Sequence, residues 1–203
     1  MKEAEDANYC HVCSAEGSSN AIIRGVNNTY NERIKEILCG SNINFAPLDL
    51  GCPSKMLLSG NIPNLPIQIS VSKLKEKMND AKHRYKFIDV IHLPEYLSQP
   101  IAIFRSATTI DDTKVILTDM VCNGNNFVVA LAEWETKSGQ KINSVRSIYP
   151  KDSPTAIMSW IIDGLLIKYD KIKILDWFNK QQSNSADVIK PIKECTKIIE
   201  KMQ

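Results

Sequence analysis

The chain has 203 residues, 43% hydrophobic and 24% charged, enough apolar material for one real core without disulfides or a structural metal. A net charge of +2 and a pI near 8.1 exclude nucleic-acid binding by bulk electrostatics, so any contact with a polyanion has to be local. The six cysteines, Cys10, Cys13, Cys39, Cys52, Cys122 and Cys195, lack the dense spacing of a small secreted scaffold, and the polar, acidic start MKEAEDANYC does not read as a signal peptide.

The longest apolar runs, such as NFVVALAEW, are about half of the ~20 residues that span a bilayer as a helix. A cytoplasmic setting, reduced thiols, no membrane and no cofactor are therefore expected.

Residues 1–27 mix Gly, Ser and Asn with a few charges and show no sustained period, which predicts a mobile leader. The segment NTYNERIKEILCG places Tyr30, Ile34, Ile37 and Leu38 at helical spacing, with Asn28 as N-cap and Gly40 as stop. A short helix is expected in PSKMLLSG, then an extended piece in NIPNLPIQIS. Ser70 or Ser72 can cap a helix through SKLKEKMND, and a further helical stretch, KFIDVIHLPEYLS, is interrupted or divided by Pro94, with AKHRY in the joint between them.

The period then changes. PIAIFRS, TKVILTDMV, NNFVVALAEWE and KINSVRSIY are short, rich in β-branched and aromatic residues, and separated by the turn clusters TTIDD, CNGNN and TKSGQ, which predicts a four-stranded antiparallel meander. DSPTAIMSWIIDGLLIKY carries a cap at Asp152 or Ser153 and an apolar stripe of Ile157, Trp160, Ile161 and Leu165; it reads as one helix on the sheet. DKIKILDWFNKQQ repeats the pattern. SADVIKPIKECTKIIEKMQ is a last amphipathic segment striped by Ile192, Cys195, Ile198 and Ile199, able to dock on its own domain or on a partner. The fold class is α+β: N-terminal helices, the meander, and C-terminal helices packed on the sheet. Residues 28–182 are the domain and 183–203 its terminal helix.

The strings LGCPSKMLLSGNIPNLPIQIS, AKHRY, PIAIFRSAT, NNFVVAL, INSVRSIYPKD, AIMSWI and DKIKILDW, in that order across residues 30–182, resemble the phage MuF C-terminal domain family. The resemblance implies the nuclease fold shared by barnase, EndoU, the tRNA-cleaving colicins and the RelE toxins, with a helical part before a four-stranded sheet. It also implies a metal-independent RNase occurring as a toxin or effector module of phage or mobile-element proteins.

Metal-free RNA cleavage needs a base for the 2′-hydroxyl proton, an acid for the leaving 5′-oxygen, and cations for the charge that builds on phosphorus. His83 is the only histidine flanked by cations, Lys82 and Arg84, and stands where the family pattern has a histidine; it is assigned general acid or base, against the plain reading of a surface histidine in a basic joint. Arg105 and Ser106 end the first strand of the meander, and Arg146, Ser147 and Tyr149 lie near the end of the fourth. Arg105 and Arg146 are assigned as phosphate-contacting cations, and Lys82, Ser106, Ser147, Tyr149 and Lys151 as substrate contacts, although strand-end arginines also serve as solvated edges. Strict alternation puts Ser144 and Arg146 on one face and Asn143, Ser147 and Tyr149 on the other. Glu133 and Glu135 are further bases that nothing places in a cleft, and Asp152 is read as a helix cap.

Cys10, His11 and Cys13 have the spacing of a zinc knuckle, but a second CxxC pair is missing, so free thiols rather than a metal are expected. Trp134, Trp160 and Trp177 are read as core or core-rim residues. An RNase of this kind needs restraint: an inhibitory (immunity) protein, delivery into another cell, or restriction to a particular RNA. The competing reading is a catalytically silent nuclease-fold module that binds a partner or self-associates through helix 186–202. RNA is the expected substrate of the first reading; the oligomeric state is left open in both.

Overall fold

The β-branched runs form the centre of a seven-stranded sheet, seen in a computed structural model that describes residues 20–40, 46–78, 84–108, 112–182 and 186–202. The meander is present as predicted: β3 (Ala102–Arg105), β4 (Lys114–Cys122), β5 (Asn125–Glu135) and β6 (Lys141–Pro150) pair antiparallel in sequence order. Three further strands extend it. β1 (Leu48–Asp49) and β2 (Ile67–Ile69) add to the β6 edge and β7 (Leu166–Tyr169) to the β3 edge, giving the order β1-β2-β6-β5-β4-β3-β7. Because β2 runs parallel to β6, the sheet is mixed, and the purely antiparallel four-stranded expectation is corrected to this larger one.

β7 arises where a single helix was expected. Helix α5 (Pro154–Ile162) stops at Asp163, and Gly164 takes a left-handed φ of 71° that lets the chain reverse into β7. Leu165 therefore leaves the helical stripe, while Ile157, Met158 and Ile161 remain buried. Ser153 occupies the N-cap position of α5, with Pro154 following.

Two helical layers cover the two faces. The N-terminal layer comprises α1 (Asn20–Cys39), α2 (Lys55–Ser59), α3 (Val71–Met78), a 3₁₀ turn at Phe87–Val90 and α4 (Leu93–Ser98). It encloses a core in which Tyr30, Ile34, Leu57 and Leu74 meet Ile103, Ile116, Phe127 and Val129 of the sheet. The second layer comprises α5, α6 (Lys171–Gln182) and α7 (Ile189–Lys201); Met158, Phe178 and Cys195 meet Phe104, Leu117 and Val128 on the opposite face.

Local details follow the sequence with shifts. α1 begins at Asn20, ahead of the expected cap Asn28. Ser54 caps α2, its Oγ accepting the Leu57 N–H at 3.4 Å, and Gly60 ends it; a Cβ on Gly60 would stand 2.5 Å from Ile103 Cδ1, so a larger residue there would require the buried Ile103 side chain to shift. Ser70 Oγ accepts the Lys73 N–H at 3.1 Å at the head of α3. Pro94 lies in the first turn of α4, and the helical stretch divides just before it. On α7, Ile192, Cys195 and Ile199 are buried against α5 and α6, and Ile198 is half-buried; the stripe docks on its own domain.

Among the described residues no helix is long and apolar enough to cross a membrane, and no group of three or more His, Cys, Asp or Glu is placed to hold a metal. Cys39, Cys122 and Cys195 are free, whereas Cys52 is disulfide-bonded, which corrects the expectation of reduced thiols throughout. Cys10, His11 and Cys13 lie outside the described residues.

Candidate functional site

The arrangement of the polar candidates is decided by one extra residue in β6. Leu131 pairs with Val145 and Ala130 with Ser147, so one step of β5 spans two steps of β6, and Arg146 is the inserted residue of a β-bulge. Bulges re-aim side chains, and this one changes the face assignment. Val128 lies in the core under the C-terminal layer; alternation along β5 carries Ala130, Ala132 and Trp134 on the same face. Ser147 and Tyr149 pair with Ala130 and Val128 and share it.

Arg146 joins them, since its guanidinium carbon stands 4.5 Å from the centre of the Trp134 ring. Strict alternation, which set Arg146 apart from Ser147 and Tyr149, is corrected by the bulge. Trp134 is 49% exposed, so the pair forms a cation and an aromatic face open to solvent. Beyond Tyr149, Lys151 holds its Nζ 5.6 Å from the centre of the Trp160 ring. Burial, aided by the charge of Asp152, raises the Tyr149 phenol above its ordinary range, which keeps it a neutral donor at physiological pH.

Arg105 is placed elsewhere. It follows Ile103 by two on β3 and pairs directly with Lys114, which pairs with Leu131; Ile103 and Leu131 belong to the core under the N-terminal layer. Arg105 and Arg146 therefore lie on opposite faces and three strands apart, about 14 Å of sheet at the usual strand spacing. Arg105 Nη2 donates to the Gly164 carbonyl at 2.6 Å. Ser106 is half-buried and its Oγ accepts the Thr108 N–H at 3.3 Å. Glu133 is exposed and pairs with Lys141 at 3.1 Å. Lys82 and His83 lie outside the described residues.

Sequence reasoning did not single out Lys114. It is 5% exposed and ion-paired with Asp112, directly across from Arg105. Two cations facing each other across a ladder repel; here each turns to an oxygen of a neighbouring loop. Only the register between β3 and β4 reveals this pair. Trp134 was legible as a rim residue, but its partnership with Arg146 depends on the bulge.

Comparison with curated proteins and with solved structures returned no match. The family model described as the phage MuF C-terminal domain matches residues 74–176, which runs from α3 through the meander, α5 and β7 into α6. The matched segment is narrower than the 30–182 suggested by the sequence strings and contains every residue assigned above. The chain belongs to the phage MuF C-terminal domain family.

Proposed function

We propose that this domain is a metal-independent endoribonuclease of toxin or effector type, with the nuclease fold expected of its family, which binds RNA across the β5–β6 face and transfers protons at His83. The observation that carries the reading is the bulge that gathers Arg146, Ser147 and Tyr149 beside the exposed Trp134. An aromatic surface with a cation over it suits unpaired bases and their phosphates, and it supplies local positive charge to a protein of net charge +2. The 2′-hydroxyl attacks the adjacent phosphorus, the P–O5′ bond breaks, and the charge on the equatorial oxygens is neutralised by Arg146. Ser147 and Tyr149 are neutral donors to the same phosphate, and Lys151 follows the strand. Arg105, on the other face, contacts no part of that scissile group.

An RNA oligonucleotide with one 2′-deoxy linkage tests this reading. The expected result is cleavage in EDTA at ribose linkages, products ending in 2′,3′-cyclic phosphate, and an intact deoxy linkage. Cleavage at the deoxy position, or none anywhere, contradicts it.

One observation favours the silent module instead: the single histidine among the described residues, His92, lies by α4 in the opposite layer from the Trp134 patch. In that reading the partner surface is the patch, because the apolar stripe of α7 is already covered.

A further inference from the structure

At the end of the sheet where β3 begins, α4 and α6 approach from opposite layers and leave a cleft of about 240 Å³ lined by His92, Glu95, Tyr96, Gln99, Asp119 and Lys173. His92 is held there by unusual means. Its backbone is left-handed, φ 67°, a conformation that a non-glycine residue adopts at a cost and that concentrates at functional positions. Its backbone N–H donates to Asn31 Oδ1 at 2.9 Å, which fixes the Asn31 amide with its nitrogen towards the ring, 3.0 Å from Nδ1. Asn27 Nδ2 lies 2.8 Å from the same atom.

Nδ1 is thereby an acceptor, so the ring proton sits on Nε2, the nitrogen left for a ligand. Both asparagines are buried on α1, 5% and 8% exposed, yet the side chain they orient is 52% exposed. Asn27 Oδ1 is sealed in with no partner among the described residues, a cost that a tie between two helices does not require.

The groups that line the cleft with His92 indicate what would bind. Lys173 Nζ donates to the Gln99 carbonyl at 2.6 Å and to Asp119 at 2.8 Å, which neutralises Asp119 and leaves one ammonium hydrogen. Glu95 Oε2 accepts from Asn27 Nδ2 at 3.4 Å, and the carboxylate, 60% exposed, keeps acceptor capacity for a ligand; Tyr96 beside it is 37% exposed. With no surplus of cations, this is not a site for a free anion. A carboxylate acceptor beside an imidazole donor matches a ribose diol, and the exposed ring beside them suits a base.

We propose that this cleft binds one ribonucleotide unit, with Glu95 accepting from a ribose hydroxyl, His92 Nε2–H donating to the sugar, Tyr96 stacking on the base and Lys173 reaching the phosphate. The inference rests on the RNA reading above and adds a second contact point, remote from Trp134.

The test is NMR of the histidine rings in the full chain, with the His92 signal identified by its loss in His92→Gln, titrated with adenosine 5′-monophosphate, its 2′-deoxy analogue and inorganic phosphate. The expected result is a saturable shift of the His92 ring with the ribonucleotide, affinity about tenfold weaker for the deoxy form, and no response to phosphate. Glu95→Gln, with unchanged melting, should abolish the ribose preference. No shift at His92, an equal response to both nucleotides, or a response to phosphate alone overturns the proposal. Ribonucleotide binding in a protein that cleaves no RNA sustains the cleft and removes the nuclease reading; RNA cleavage without any response at His92 does the reverse.

Discussion

The guanidinium of Arg146 lies over the indole of Trp134, 4.5 Å from carbon to ring centre, because a single inserted residue in β6 rotates Arg146 onto the face that Trp134 occupies. Neither residue alone marks a site; together they form a solvated cation–aromatic surface.

If that surface carries single-stranded RNA, Trp134→Ala and Arg146→Ala should each weaken binding by about 1–3 kcal/mol, and the double variant by less than the sum, because the two side chains share one contact. Fluorescence anisotropy of a labelled single-stranded RNA measures this. Full additivity, or no loss in either variant, would remove the patch from the binding surface. Trp134 is on the rim, so melting of both variants should stay near that of the parent.

Asn143 ties β6 to the segment before β2. It is 1% exposed, and its Nδ2 donates to the Pro63 and Leu65 carbonyls at 2.8 Å each. Asn143→Ala leaves both carbonyls without that donor in a dry site and should destabilise the chain by about 2–4 kcal/mol, read by urea unfolding. A loss within experimental error would show that water replaces the amide.

The stripe of α7 is part of the second core, so Ile199→Ala should cost about 2–5 kcal/mol and leave the oligomeric state unchanged by size-exclusion chromatography. Removal of residues 186–203 should abolish cooperative melting. A truncated chain that melts like the parent, or an Ile199→Ala variant that changes assembly without losing stability, would assign α7 to a partner instead.

Burial, with the charge of Glu194 adding to it, pushes the Cys195 thiol up to about 12. Its unfolded value is about 8.5. The folded state thus favours the protonated thiol: this contribution is complete below about pH 8.5 and is lost as pH rises towards the folded value. Stability should fall more steeply between about pH 8.5 and 10.5 in the parent than in Cys195→Ala. Equal slopes, measured by denaturant unfolding, would contradict the assignment; Tyr30, Tyr85 and Cys122, also raised by burial, are common to both proteins and cancel.

The central sheet was legible because its four strands alternate strongly or run apolar and are separated by clear turns. β1 and β7, with two and four residues, are too short to establish a period, and β7 was masked by the apolar stretch of α5 until Gly164 broke it. The parallel partnership of β2 with β6 joins residues some 75 positions apart, and hydrophobic pattern carries no such pairing. The site was legible in residue type and not in geometry: alternation fails wherever a bulge inserts a residue, so Arg146 was assigned to the wrong side of Ser147. The ladder that separates Arg105 from Arg146 is likewise a matter of register. Nothing in the local sequence supports His92 as it does His83, because the supports of His92, Asn27 and Asn31, lie about sixty residues upstream on another helix.

The most direct test of ribonuclease activity compares parent and His83→Ala proteins of equal melting behaviour on total RNA and on single-stranded DNA in EDTA. The parent should fragment RNA and spare DNA, and His83→Ala should lose at least about a hundredfold in rate, the usual scale of a general acid or base. Intact RNA with the parent, or undiminished cleavage by His83→Ala, would contradict it.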